Sequence, residues 1–470
     1  MALLRNQVVS LTIATLTPLH IGAGRQLAAN LDYYVDGEAT LVIDANTVLD
    51  LVVDTWQQRR VPYEEQLRRF QEELAQEEER LRQAEERLRR QIEQFETHPP
   101  RRTDEYERQA HRLRDEARRL KERRQRLAER YALPPQPDDA GDLLPPELIA
   151  GSTLDQLVEG GLLPLDRLRE RAQVNGRPLV RYALNGRPPS GDIYEQIKDV
   201  ADRLYLPGSS LKGAIRSALA WDAAERLAGA ALQQAIEKGS KNADDAIDQA
   251  VFLGAQRAQR RINSTVRDVL RALRISDSAP VAAAPDLLAV RIYRSRSAQG
   301  LIALEAIPAE LEFRMTLQIE RYPFESQAAR NVIDFGDWQR RLQPDALAAA
   351  CRRRAASLID GELAYFDRQT DAVEPIRFYT NLRARLERMD AHSFLLPVGW
   401  GAGWRSKTLD NRLRDGKYES AFVEIVRRHT LKKHKSAGFR PGDIFPETRK
   451  IIMRGALPWR PMGWVEVRIG

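Results

Sequence analysis

Residues 205–219 read Tyr-Leu-Pro-Gly-Ser-Ser-Leu-Lys-Gly-Ala-Ile-Arg-Ser-Ala-Leu, and their reading decides the fold. A short strand-like Tyr205-Leu206 runs into Pro207-Gly208, which break it. Ser209 or Ser210 is a suitable N-cap, because a hydroxyl accepts a hydrogen bond from an orphan N–H of the first helical turn. Leu211, Ile215, Ala218 and Leu219 then recur at helical spacing and are expected to face a core. Lys212 and Arg216, four apart, share another face. A helix start with free N–H groups, two hydroxyls and a lysine suits an anion, and phosphate is the candidate. The stretch is not a P-loop: that motif places lysine and hydroxyl after its second glycine, and here Lys212 precedes Gly213. The alternative is an ordinary capped helix with no ligand.

Upstream, Val9, Leu11 and Ile13 alternate with polar residues as a first strand. Thr17-Pro18-Leu19-His20-Ile21-Gly22-Ala23-Gly24-Arg25 follows, a glycine-bearing loop whose backbone can approach a ligand. Asp32–Val35 and Leu41–Asp44, joined across Asp36-Gly37, read as a hairpin. A short helix is expected over Ala45–Trp56. Residues 62–132 differ in kind. Leu67, Phe70, Leu74, Leu81, Leu88 and Phe95, then Tyr106, Leu113, Leu120, Leu127 and Tyr131, keep a three/four spacing. The Thr97-His98-Pro99-Pro100 break between the two series predicts an antiparallel coiled-coil hairpin with arms about 40–50 Å long. It carries 19 basic and 18 acidic residues, so its charges can pair. It is either a solvated structural arm or a docking arm. The prolines at 134, 135, 137, 145 and 146 predict a stiff linker out of it.

Downstream, Trp221–Lys238 and Asp244–Leu273 are alanine-rich and predict helices, which Arg274-Ile275-Ser276-Asp277-Ser278 stops. Strands are expected over Leu288–Tyr293, Leu301–Ala306 and Leu311–Ile319. The last alternates cleanly, as a half-buried antiparallel strand does. A helix over Ala346–Gly361 and a mixed stretch at 376–394 precede Gly399-Trp400-Gly401-Ala402-Gly403-Trp404-Arg405-Ser406-Lys407-Thr408. Its alternate glycines free the backbone to wrap a ligand; Trp400 and Trp404 either stack bases or are simply core, and Arg405 and Lys407 are candidates to hold phosphates. A basic run, Arg427–Lys435, and a strand ending at Ile469 close the chain.

The net charge of +7 is concentrated late: residues 401–470 hold 16 Lys/Arg against 7 Asp/Glu. A basic segment interleaved with aromatics fits nucleic acid. The single cysteine, Cys351, excludes an intrachain disulfide and a cysteine zinc site and points to a reducing cytoplasm. No apolar run approaches the roughly 20 residues of a membrane span, and the N-terminus lacks the apolar centre of a signal peptide. The six histidines show no metal-ligand spacing, so neither a metal nor another cofactor is expected.

Taken in order, LTPLHIGAG (Leu16–Gly24), LPGSSLKGAIRSAL (Leu206–Leu219), RISDS (Arg274–Ser278), EAIPAELEF (Glu305–Phe313), GWGAGWRSKT (Gly399–Thr408) and PMGWVEV (Pro461–Val467) resemble the RAMP superfamily of CRISPR systems. Within it they look most like the large terminal subunit of type III-A Csm complexes. The likeness runs from Leu11 to Ile469 and excludes the coiled-coil insertion. It implies an α+β chain of tandem ferredoxin-like (RRM-like) domains. The expected division is residues 1–61 and 133–320 for the first, with 62–132 inserted, and 321–470 for the second. It further implies a subunit without a nuclease site that caps the complex near the crRNA 3′ end. Its partners would be crRNA, other RAMP subunits and recruited host nucleases. The RNA-binding candidates it carries over are His20, Gly22, Gly24 and Arg25; Ser209, Ser210, Lys212 and Arg216; and Gly401, Gly403, Arg405 and Lys407, joined by Trp400 and Trp404.

Two enzyme readings stand beside this one. His20 is a candidate general base for metal-independent RNA cleavage, with Lys212 as a charge stabiliser. Set between Leu19 and Ile21, it also reads as a structural histidine. Asp32 is a candidate metal carboxylate, but one without a partner at ligand spacing, and it also reads as the start of the hairpin. A third class is a purely structural assembly protein.

Overall fold

The computed structural model describes residues 6–100, 102–132, 151–227, 249–259, 261–294, 300–409, 412, 419–429, 431 and 438–470. The chain forms two compact units: residues 1–42 with 181–470, and residues 43–180. The predicted linker at 134–146, residues 228–248 of the expected helices and most of the basic run 427–435 lie outside the described residues.

The strands longer than two residues, in chain order, are β1 (Gln7–Thr15), β2 (Gly22–Leu27), β3 (Tyr33–Asp36), β4 (Ala39–Ile43), β5 (Val180–Asn185), β6 (Ile193–Gln196), β7 (Leu273–Ile275), β8 (Asp286–Tyr293), β9 (Leu301–Ala306), β10 (Glu312–Ile319), β11 (Ser393–Pro397), β12 (Arg449–Arg454), β13 (Leu457–Pro461) and β14 (Trp464–Ile469). The principal helices are α1 (Ala45–Thr97), α2 (Thr103–Ala132), α3 (Gly208–Leu227), α4 (Pro344–Phe366), α5 (Val373–Glu387) and α6 (Glu419–Arg428).

Two sheets organise the larger unit. The first has the order β7-β10-β1-β14-β11 and is antiparallel throughout. Its inward residues, among them Leu11, Ile13, Phe313, Leu317, Val465 and Val467, bury against Leu211, Ile215 and Ala218 of α3 and Leu347 and Cys351 of α4. The helical periodicity of residues 211–219 therefore lands on the core, each large apolar side chain contributing roughly 1.5–3 kcal/mol. The second sheet has the order β13-β12-β8-β9-β6-β2, with one parallel pair, β9 beside β6. A small sheet, β3-β4-β5, contains the expected hairpin, turned at Gly37 with φ +59°. The boundary expected at 320/321 falls inside this unit. Strand β1 pairs with β10 before it and with β14 after it, so no division of the sheets occurs there.

In the smaller unit, the separate short helix expected over Ala45–Trp56 does not exist; α1 runs unbroken from Ala45 to Thr97. The Asp44 carboxylate caps it, accepting from Thr47 N at 2.8 Å. Beyond Thr97, Pro99 and Pro100 offer no N–H to continue it, and α2 returns antiparallel. Phe95 meets Tyr106 with ring centroids 4.9 Å apart, Arg124 Nη1 lies 3.3 Å from Glu85 Oε1, and Arg130 Nη1 lies 3.1 Å from Glu77 Oε2. Leu74, Leu81, Leu88 and Leu127 fill the seam.

The helix expected over Asp244–Leu273 is also corrected. Its described part holds a helix end, a short helix at Ser264–Arg267, a 3-10 turn at Val269–Ala272 and β7. Asn263 caps the short helix by accepting from Thr265 N and Asp268 caps the 3-10 turn by accepting from Leu270 N, so the stretch is a series of separately capped turns. Among the described residues, no helix is long and apolar enough to cross a membrane.

Candidate nucleic-acid interface

The helix start at residues 207–212 is built as a junction. Helix α3 begins at Gly208, so Ser209 and Ser210 sit inside its first turn and neither is the N-cap. The anion at its N-terminus is the chain's own: Asp277 Oδ1 accepts from Gly208 N at 2.7 Å. Ser278 Oγ accepts from Leu206 N at 2.9 Å, and Ser278 N donates to Leu206 O at 3.0 Å. A Cβ on Gly208 would lie 2.3 Å from Ile275 O, so only glycine permits this approach. Arg216 pairs with Asp268 at 2.9 Å and lies 4.2 Å from the Phe252 ring centroid. Lys212 is half-buried, and burial holds its pKa below the usual lysine value. At this helix start Asp277 takes the Gly208 N–H, and Arg216 is paired within the fold.

The first loop and the late loop, nearly 380 residues apart, come together. His20 is buried, and its Nδ1 lies 2.6 Å from Glu305 O. A carbonyl only accepts, so Nδ1 carries a proton. Burial, then the Lys450 and Lys198 charges, lower the pKa of His20 despite that carbonyl. Its own carbonyl accepts from Trp400 N at 2.8 Å, and its ring meets Trp400 edge-on at 6.0 Å. A Cβ on Gly399 would lie 2.4 Å from His20 O. His20 therefore pins the two loops. Asp32 closes a turn, its Oδ2 accepting from Ala28 N at 2.8 Å.

Beneath the first loop lies a buried charge network. Glu305 accepts from Tyr182 Oη at 2.8 Å and Gln196 N at 3.0 Å, and pairs with Lys198. Glu195 takes Arg25, whose Nη2 donates to its Oε1 at 3.0 Å. Arg25 is 60% exposed, yet its head neutralises a carboxylate that is 3% exposed. Gly22 leaves room for the His20 ring, a Cβ there lying 3.3 Å from Nε2. Gly24, with φ +85° and open space around it, turns the exposed end of the loop where β2 is bulged against β6.

In the late loop, Gly401 packs so closely that a Cβ would lie 2.3 Å from Met462 Cβ, whereas Gly403 faces open space at φ +83°. Arg405 is drawn inward, Nη1 donating to Gly361 O at 3.1 Å, and it ties the loop to α4. Trp404 remains 41% exposed, and Lys407 is exposed. Trp400 is engaged within the fold: Lys450 Nζ lies 3.4 Å from its ring centroid, and Tyr194 stacks against it at 6.3 Å and 26°. Burial, aided by Lys407, pushes Lys450 down to about 8.

The result differs from the expected set. His20, Arg216, Trp400 and Arg405 hold the fold. Gly24, Trp404 and Lys407 face outward. Tyr194, 40% exposed, and Lys450 complete the surface, and the sequence reading missed both. Each sits on a strand, in Ile193-Tyr194-Glu195-Gln196 and Arg449-Lys450-Ile451-Ile452, where alternation marks an outward residue without marking its neighbours.

A model of the RAMP superfamily matches residues 12–328. A Methanocaldococcus jannaschii protein described as CRISPR system Cms protein Csm5 is 22% identical over 278 residues. The match covers 56% of this chain and 62% of that protein, so it spans less than two thirds of the relative. The fold is similar to a chain in a cryo-EM structure of a type III-A Csm–crRNA–target RNA ternary complex. The TM-score is 0.58 at 19% identity, over 98% of this chain and 100% of that one. It is also similar to a crystal structure of T. onnurineus Csm5, with a TM-score of 0.50 at 19% identity, over 97% and 99%.

Proposed function

Because the chain belongs to the RAMP superfamily, we propose that it is a non-catalytic RNA-binding subunit of a type III-A CRISPR effector complex. In this reading it caps the assembly near the crRNA 3′ end, in the cytoplasm, with crRNA and other RAMP subunits as partners. The first sheet, read along the chain as β1-α3-β7-β10-α4-β14, has the strand sequence of a ferredoxin-like unit. We take the second sheet as its diverged tandem partner and the α1/α2 hairpin as an inserted coiled coil. Help to crRNA maturation through recruited host nucleases belongs to the same reading and rests on the family resemblance alone.

The observation that carries the proposal is the cluster of Tyr194, Trp400 and Lys450 beside the open Gly24 turn. It offers an exposed aromatic face and a cation within a few ångströms of each other. Such a surface stacks bases and neutralises phosphates with little regard to base identity. The endoribonuclease reading at His20 is weaker: its Nδ1–H is committed to Glu305 O, and the ring is buried behind Trp400.

Purification of the tagged protein from its host, with sequencing of the bound RNA and identification of its companions, tests the reading. Short repeat-spacer RNAs sharing a 3′ boundary, recovered with other RAMP subunits, are the expected outcome. A free monomer that cuts repeat RNA would replace the proposal with the His20 endonuclease. A cap that binds a backbone subunit with no salt-dependent RNA affinity would make it a protein-only assembly factor.

A further inference from the structure

Lys450, Ile452 and Arg454 are alternate residues of β12 and so share one face of the second sheet. Ile452 identifies that face: it packs with Leu288, Val290 and Met462, and both Trp400 and Trp459 lie against the same cluster. Arg454 therefore stands four residues, about 13 Å, from Lys450 along one strand. Trp459 owes its position to a β-bulge. Ile452 pairs with Arg460 and Met453 with Pro458, which leaves Trp459 with no residue opposite it. An extra residue of this kind re-aims its side chain. Two guanidiniums gather at the Trp459 ring, with Arg454 Cζ 4.6 Å and Arg460 Cζ 4.8 Å from its centroid.

Among the described residues, neither of these arginines has a carboxylate partner. Arg25, Arg216 and Arg385, by contrast, are each held by one. Arg460 also borders a cleft that contains Asp390 and Glu466. Those carboxylates are engaged elsewhere: Glu466 pairs with Arg385 and Arg468, and Asp390 accepts from His392 N. The place is open, because β13 is an edge strand, Arg454 is exposed, and Leu457 opposite Arg454 is 64% exposed. Two like charges drawn to one ring, with no anion from the chain, leave a local positive potential that attracts an external anion.

We propose that bound RNA continues from the Tyr194–Trp400–Lys450 surface along β12, and that Arg454 and Arg460 hold a further phosphate of the same strand. The inference rests on the RNA-binding reading and adds the direction the strand takes across the protein. Arginine forks suit phosphate oxygens bidentately. Trp459 is a positioning residue: its ring orients both guanidiniums through cation–π attraction. A phosphodiester fits better than an acidic protein segment, because these cations share a strand face with the aromatic surface and Lys450.

The test uses the full chain and a labelled single-stranded RNA about 15 nucleotides long, with anisotropy read over a range of salt concentrations. Replacing both arginines by alanine should lower affinity several-fold and flatten the salt slope by about 0.7 for the one phosphate lost. Arg454→Lys with Arg460→Lys should keep the slope. If the double alanine variant does not fold, Arg454→Glu alone, an exposed change, should weaken binding in the same way. Titration should give one RNA per chain. Unchanged affinity and slope in the folded alanine or glutamate variant overturn the site and leave the RNA reading intact. Two RNAs per chain overturn the continuous path. Loss of binding to another RAMP subunit with RNA affinity unchanged makes the pair a protein contact and overturns the site as well. Absence of RNA binding by the unaltered chain overturns the RNA reading, and this site with it.

Discussion

The helix start at residues 207–212 and the late loop at residues 399–407 have similar local chemistry: glycines, hydroxyls and a cation or two in a short turn. Their outcomes are opposite. At the helix start the chain itself supplies partners for the helix N-terminus and for Arg216. Asp277 serves the helix N-terminus, Asp268 and Phe252 take Arg216, and Gly208 lets two backbones touch. At the late loop the inward half is likewise satisfied, but the outward half is left with exposed Trp404, exposed Lys407 and the Lys450 charge held below its usual proton affinity. The lesson is that a phosphate-like motif is a demand for charge, and the fold decides whether the chain or a ligand answers it.

The largest effect that would sharpen this contrast belongs to Gly208→Ala. The new methyl meets backbone carbonyls that cannot rotate away, so a loss of about 3 kcal/mol in denaturant unfolding is expected. A near-neutral result would mean the junction is not tight. Next, Tyr194→Ala should weaken single-stranded RNA binding by about 10-fold, within the 1–3 kcal/mol of one base stack, while Tyr194→Phe retains it. Equal losses in both variants would assign the effect to the hydroxyl.

Removing Lys407 and Lys450 together should flatten the salt dependence of RNA affinity by about 0.7 for each phosphate no longer neutralised. Lys450 also gives this surface a pH signature. Its pKa is lowered to about 8, so its cation disappears as pH rises through that value. RNA stabilises the charged form, so affinity should fall across the same interval, and Lys450→Arg should abolish the fall. An affinity independent of pH up to 9 would remove Lys450 from the interface.

The smallest effects come from the helix start. Asp277→Ala removes a cap, and Arg216→Ala removes an ion pair together with the cation over the Phe252 ring, each about 1 kcal/mol of stability. Neither should change RNA affinity, and a several-fold drop in affinity in either would reopen the helix start as a binding site.

The difference between these regions was only half legible in the sequence. Leu211, Ile215 and Ala218 face the core as their spacing requires, and the alternation of residues 311–319 is a strand with Phe313, Leu317 and Ile319 inward. The helical hairpin was equally readable, because its seam is a repeat along one chain segment and its ion pairs follow from register. What failed was assignment of partners. Trp400 reads as a base platform until Tyr194 and Lys450, distant in sequence, are placed against it. Arg25, an RNA-binding candidate by the family resemblance, is paired once Glu195 is placed beneath it.

By itself, then, the sequence determined the helix at 208–227, the strand at 312–319 and the helical hairpin with their buried faces, the family and the charge of the late segment, since each of these is a local pattern or a sum. The tertiary structure alone decided which cations are already neutralised, that Asp277 is the anion of α3, and that Tyr194, Trp400 and Lys450 share one neighbourhood. The physical reason is range: periodicity and capping act within a few residues, whereas electrostatic satisfaction depends on distances of a few ångströms between groups that the chain separates by tens to hundreds of residues.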